Sequence, residues 1–203
     1  MPDEIEKDAL ALKILATAQA LFVQHGIEHV SMHKVAQTAG IGQGTLYRRY
    51  PNKNRLCLSL METKFARFMD ETEAYLADSA DRPVLTRLTF VMTRMITLVD
   101  EDLEWLKVIV HSGHLKQAMT NLFELPPFVY IRDRIKGLLE EAADQGALIA
   151  LDALFTSSLL ASALRPELVF YYHDLGYSSA QIADQFCRSF IAPLFRPEVT
   201  DTV

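Results

Sequence analysis

Gln43, Thr45, Tyr47, Arg48 and Arg49 crowd into one short stretch, and each carries a side-chain N–H or O–H donor. Amide, hydroxyl and guanidinium groups at this density suit phosphate oxygens and the acceptor edges of bases. The surrounding charge fits the same chemistry. No Asp or Glu lies between Met32 and Met61, and from Val30 to Arg67 seven bases (Lys34, Arg48, Arg49, Lys53, Arg55, Lys64, Arg67) face Glu62 alone, a net of +6. Residues 1–29 carry a net of −3 and residues 68–203 a net of −9, which together give the formal −6 of the whole chain. A basic block inside an acidic protein is an electrostatic footprint for nucleic acid and favours one docking orientation. The plainer alternative is a solvated basic helix pair with no partner.

Bond-making chemistry has weaker support. His25, His29, His33, His111, His114 and His173 fall in no HExxH or comparable ligand pattern, and no glycine-rich phosphate loop or nucleophile elbow is present. His111 and His114, three apart, could share a metal, but polar surface or a pocket hydrogen bond explains them more simply. Cys57 and Cys187 are too few and too separated for a disulfide framework or a zinc site, and read as core thiols. The expectation is no enzyme, no metal and no cofactor.

The donors need rigid elements to aim them. Ser31 can cap a first helix carrying Met32, Val35, Ala36 and Ala39 at helical spacing. Gly40 ends it, because glycine takes a left-handed backbone without the Cβ penalty. Ile41 follows as an apolar plug, and a second helix runs through Thr45 and Leu46 to Tyr50. Small Ala36 permits close approach, with Ile41 and Leu46 beneath, which is a helix-turn-helix. An amphipathic helix from Ala9 to His25, stopped at Gly26, supplies the third wall through Leu10, Ile14, Leu15, Ala18, Leu21 and Phe22. Residues 1–8 read as a frayed, charged tail.

The stretch SMHKVAQTAGIGQGTLYRRYPNKNRL resembles the signature of the tetracycline repressor (TetR) family of one-component bacterial regulators, with the close match covering Ile14 to about Leu60. The resemblance implies an all-α fold: a three-helix DNA-binding head, residues 1–52, and a helical ligand-binding and dimerisation body, residues 53–203. It implies that Ser31, Tyr47, Tyr50 and Lys53 meet phosphates of double-stranded DNA, and that Gln43, Gly44, Thr45 and Arg48 lie nearest the bases. His33 matches a position that sometimes reaches a base. Gly42 departs from the Ser or Thr common there, and Arg49 replaces a more usual His or Tyr, so the contact set differs in detail.

Beyond the head, a helix from about Lys53 to Ala77 begins basic and turns acidic at Asp70, Glu71 and Glu73. The body reads as helical throughout, since no sustained period-two alternation occurs. Pro83 opens a helix ending near Asp100; further helices are expected over Leu103–His111, Lys116–Leu125 and from Pro126-Pro127 to Gly146. Asp152 caps a run that Pro166 kinks or splits, and Ser178 with Gln181 forms a capping box for a final helix through Ile182, Phe186 and Phe190.

Met92, Met95, Trp105, Phe123, Phe128, Phe155 and Phe170 offer the flexible and aromatic surface that apolar ligand cavities use, although each taken singly fits a helical core better. The family resemblance raises the pocket above that simpler reading, and the sparse charged groups nearby in sequence argue for a small, mostly apolar effector. The closing helix pair carries more apolar surface than one domain needs. By the resemblance, Leu160, Leu164, Ile182, Phe186 and Phe190 form a homodimer interface. The acidic start MPDEIEKDAL and the charge-broken apolar runs are no secretory signal or membrane span, so a cytoplasmic, membrane-free protein is expected. The function that follows is a ligand-responsive transcriptional regulator, a repressor released from a palindromic operator. Its rivals are a ligand-independent DNA-binding protein on the same fold and a helical enzyme or carrier with an incidental basic patch.

Overall fold

A computed structural model describes residues 2–100, 122–163 and 165–197, with side chains from residue 9 onward except that of Leu122. The helix expected over Leu103–His111, the first part of that expected over Lys116–Leu125, and the side chains of Trp105 and Leu164 lie outside the described residues. What is described of the second of these helices is a short 3-10 turn, Leu122–Glu124. Every described element is helical apart from an isolated antiparallel bridge between Leu148 and Phe195. The described helices are α1 (Pro2–His25), α2 (Met32–Ala39), α3 (Gln43–Arg49), α4 (Lys53–Asp78), α5 (Val84–Asp100), α6 (Pro126–Asp144), α7 (Ala153–Ala163), α8 (Pro166–Asp174) and α9 (Ser179–Phe186). Another 3-10 turn, Ile27–His29, joins α1 to α2. The helix expected from Ala9 begins at Pro2, so residues 2–8 are helical and not frayed.

Of the described residues, those up to Arg67 form one compact unit and those from Phe68 onward a second. The first unit, the head, has a single core: Ile14, Ala18 and Phe22 of α1, Val35 and Ala36 of α2, Leu46 of α3, and Leu56, Cys57 and Leu60 of α4. The opening turns of α4 thus belong to the head core, which is why the compact unit extends past the end of the helix-turn-helix.

The second unit buries Phe68, Leu88, Met92, Ile135, Leu139 and Ile191 almost completely. Polar ties connect its helices: Arg94 to Glu71 at 2.9 Å, the Tyr130 hydroxyl to Glu73 at 2.7 Å, and the buried Arg87 to Glu141. Arg87 also donates through Nε to the Arg82 carbonyl, so its charge is well partnered.

Punctuation follows local chemistry. The Asp152 carboxylate accepts from the Phe155 amide at 2.7 Å and caps α7, and the Ser178–Gln181 capping box forms in full. Pro166 splits the expected long helix: α7 ends at Ala163, Arg165 is extended (φ −73°, ψ 140°), and Pro166 starts α8. A proline pushes the residue before it out of the helical region and is accepted in a first turn. The final helix is not regular to Phe190, because Cys187–Ile191 forms a π-helical turn in which the Ala192 amide donates to the Cys187 carbonyl. Pro193, which lacks an N–H, follows at once and cannot extend the ordinary ladder.

Candidate nucleic-acid interface

The helix-turn-helix is built as its residues dictate. Ser31 is extended and its Oγ accepts from the Lys34 amide at 3.2 Å, capping α2. Gly40 at φ 67°, ψ 36° reverses the chain, and the Ile41 amide returns to the Ala36 carbonyl at 3.0 Å, the six-to-one bond of a left-handed helix end. Gly42 is extended at the N-cap of α3 and gives it no side-chain cap. A Cβ there would meet Thr45 Oγ1 at 3.9 Å, an ordinary contact, so packing does not require glycine at Gly42. Leu46, with no exposed surface, anchors α3 to the core.

That anchor fixes which side of α3 faces outward. Gln43, Gly44, Tyr47 and Arg48 are exposed, and Thr45 and Arg49 half-buried. A Cβ built on Gly44 meets nothing within 4 Å, so its outer face is open to a close approach. Ser31 and His33 are exposed at the start of α2. His33 Nδ1 lies against Gln43 Nε2, which joins the two motif helices at their outer edge. Tyr50 is only 5% exposed and its ring lies in the core, away from the exposed face. Lys53 is half-buried, with Nζ 2.8 Å from the Ile27 carbonyl and 3.3 Å from that of Val30. The one acid of the basic stretch, Glu62, pairs with Arg55 at 2.9 Å.

Two features escaped the sequence reading. Asn52 Oδ1 accepts from the Arg55 amide at 2.9 Å and caps α4. An Asn just ahead of a helical run was the available signal. The His33–Gln43 contact joins residues ten apart and depends on how α2 and α3 cross, which no local pattern encodes.

In the second unit the residues expected around an effector separate. Met92, Phe128 and Phe170 are buried, Met95 is half-buried, and Phe123 and Phe155 are 55% and 65% exposed. Phe123 and Phe128 meet edge to face at 5.1 Å. A groove of about 410 Å³ lies elsewhere, between α5 (Leu85, Thr89, Thr93) and the α9 end (Ala183, Cys187, Arg188), and none of the expected residues lines it. Of the expected interface residues, Leu160, Ile182 and Phe186 are buried within their own unit and Phe190 is 58% exposed. Among the described residues no cluster of His, Cys, Asp or Glu could hold a metal ion, and no helix is long and apolar enough to cross a membrane.

Burial pushes the Cys57 thiol up to about 12, against the pull of nearby Lys53. Burial likewise raises Cys187. Both thiols are protonated near neutrality and poor nucleophiles.

Residues 14–60 match the family model described as bacterial regulatory proteins, tetR family. An HTH-type transcriptional regulator of Staphylococcus aureus (strain MRSA252) is 28% identical over 176 residues, covering 85% of this chain and 87% of that protein. A TetR-family transcriptional regulator from Pectobacterium atrosepticum superposes with a TM-score of 0.71 at 20% identity, covering 97% of this chain and 98% of the other. AibR in complex with isovaleryl coenzyme A and operator DNA superposes at 0.61 with 21% identity, covering 92% of this chain and all of the other. FadR from Bacillus subtilis in complex with stearoyl-CoA does so at 0.65 with 20% identity, covering 90% and 98%. With a capped helix-turn-helix, an acid-free outer face on α3 and an all-helical second unit, the chain has the fold of TetR-family DNA-binding transcriptional regulators, and its residues 14–60 match that family's model.

Proposed function

We propose that this regulator acts as a homodimeric repressor, released from a pseudo-palindromic operator by a small, mostly apolar effector. The observation that carries the DNA half is the outward face of α3, where Gln43, Gly44, Tyr47 and Arg48 are exposed with no acid nearby in sequence. Gln43, Gly44, Thr45, Arg48 and, at the edge, His33 and Arg49 supply base-proximal contacts. Ser31 and Tyr47 take phosphates, together with the open N–H groups at the start of α4. Residues 1–52 do this work together with the first turn of α4, and the rest of residues 53–203 binds effector and second copy.

Dimerisation is supported by Leu154, Phe155, Leu159 and Phe190, each more than half exposed. Such a row of large apolar groups is costly to leave in water. The effector must bind one arrangement of the two heads better than the other, since only differential affinity can shift that equilibrium. AibR and FadR are seen with coenzyme A thioesters, whose coenzyme A half is polyanionic, so acyl-CoAs are tried beside neutral apolar and aromatic compounds, and only the latter fit the effector proposed here. We place the protein in the cytoplasm, without catalytic activity.

Selection of bound fragments from the source genome tests the reading. The recovered fragments should share an inverted repeat with half-sites about 34–36 Å apart, one helical turn. Recovery of unrelated fragments would sink it. A second reading, a ligand-independent DNA-binding protein on the same fold, is favoured by the burial of Met92, Phe128 and Phe170, which leaves them in the core. A panel of neutral apolar, aromatic and acyl-CoA compounds of which none raises the melting temperature or releases the recovered duplex would select it.

A further inference from the structure

Lys53 stands at a position where the family resemblance implies a phosphate contact, yet its ammonium is turned to the protein's own backbone. We infer that Lys53 is a positioning residue: it ties the α1–α2 connection to the first turn of α4 and so sets where that helix start stands against the helix-turn-helix. The inference rests on the DNA-binding reading above only for its consequence, not for the tie itself.

The local geometry follows from the chain. Side chains on a helix lean toward its N-terminus, so from the first residue of α4 the four-carbon stem of Lys53 reaches back over the preceding turn. Its Nζ lies 2.8 Å from the Ile27 carbonyl oxygen and 3.3 Å from that of Val30. Ile27 and Val30 are 5% and 1% exposed, so their side chains pin the backbone whose carbonyls Lys53 takes. The α2 ladder starts one residue later, at the Ser31 carbonyl, which accepts from Val35 at 3.1 Å. The Val30 carbonyl therefore precedes the ladder, and the ammonium satisfies it with a charge-assisted bond.

One turn along α4, Cys57 is 2% exposed, and both Lys53 and Glu28 act electrostatically on its thiol. Leu56 beside it has no exposed surface. The start of α4 is thus held by buried side chains and, at its edge, by Lys53. Two of the three ammonium protons are committed to carbonyls. Because Val30 directly precedes Ser31, any displacement of the first turn of α4 acts on the cap of α2. Loss of the tie should therefore loosen the α1–α2 connection and misplace both phosphate-facing helix starts together.

The test uses the full-length protein with Lys53→Met, which keeps the stem, and Lys53→Arg, which keeps the charge. Without DNA, amide exchange over residues 27–31 should be at least about fivefold faster in Lys53→Met and close to wild type in Lys53→Arg, since opening of the turn limits exchange. With a duplex recovered by the genomic selection, Lys53→Met should bind about tenfold more weakly at every salt concentration, with an unchanged slope of log affinity against log salt, and Lys53→Arg should regain most of the loss. A phosphate contact would instead flatten that slope by about 0.9 per protomer. A flattening of that size, or unchanged exchange in Lys53→Met, overturns the inference. If wild type binds no duplex, the DNA-binding reading fails while the exchange measurement still decides the tie.

Discussion

The head and the unit from Phe68 onward are both helical and both well filled, but they differ in what they mostly leave in water. The head holds Ile14, Val35, Leu46 and Leu56 at 1% exposure or less and presents a basic, acid-free face from α3. The second unit buries its core as completely, yet leaves Leu154, Phe155, Leu159, Tyr171, Leu175 and Phe190 more than half exposed. Its sequence is net acidic, −9 over residues 68–203. Surface chemistry and not fold class separates the two roles. Point charges and donors recruit a polyanion, whereas each large apolar side chain fully covered is worth about 1.5–3 kcal/mol and recruits another apolar face.

The largest expected effect tests whether the head is a unit in its own right. Leu46→Ala should cost about 2–5 kcal/mol by leaving a cavity under α3, and amide exchange should quicken in α1 to α3 while α5 and α6 keep their protection. Loss of protection across both units would erase the distinction drawn here.

Arg48→Ala removes a donor from the exposed face of α3 without touching the core. It should cost about 1–3 kcal/mol of operator affinity and relax preference at one base pair, read by competition among single-base variants of the operator. A uniform loss on all sequences would reassign Arg48 to a phosphate.

The apolar surface is challenged at Phe190, because Phe186 is buried and its replacement would disturb the fold itself. Phe190→Asp should weaken self-association at least tenfold, about 1.4 kcal/mol, in analytical ultracentrifugation, with the melting curve of the isolated protomer little changed. An unaltered dimer would move the interface off this face.

Cys57 gives a pH arm. Its thiol, normally near 9.0, is pushed up to about 12 in the fold, so the unfolded chain releases this proton first. Stability from this group is whole below about pH 9 and falls as pH rises from there toward about 12. Urea unfolding of wild type and Cys57→Ala should show a steeper alkaline decline in wild type. Equal declines would mean that the thiol is not held in the head core.

The smallest effect sharpens the interface. Gly42 is extended at φ −68°, which serine adopts freely, and a Cβ there fits. Gly42→Ser should add a side-chain cap to α3 worth a few tenths of a kcal/mol, visible as a small rise in melting temperature.

Most of the head was legible because its signals are local. Ser31 before an apolar-periodic run, Gly40 where the chain must turn left-handed, and the acid-free stretch around Arg48 each state their role within a few residues. Tyr50 was not legible: an aromatic hydroxyl near basic residues suits an interface, but the crossing of the head helices puts it in the core. The body resisted for the same reason on a larger scale. Met92, Phe128 and Phe155 share an apolar character that suits a pocket, a core or a surface equally, and only packing sorted them, Met92 and Phe128 inside and Phe155 outside.

The sequence by itself determined most of the described helices, most of their caps and breaks, and the basic face of α3, since these follow from periodicity, capping chemistry and charge along the chain. Even the split at Pro166 was written there, in a ring that lacks an amide proton. Only the tertiary structure decided where Lys53 points, that the last helix ends in a π-helical turn, and which apolar residues stay in water. Each depends on which elements meet across long stretches of sequence, and the free energy of such contacts is set by complementary shape and unmet hydrogen bonds that no single segment contains.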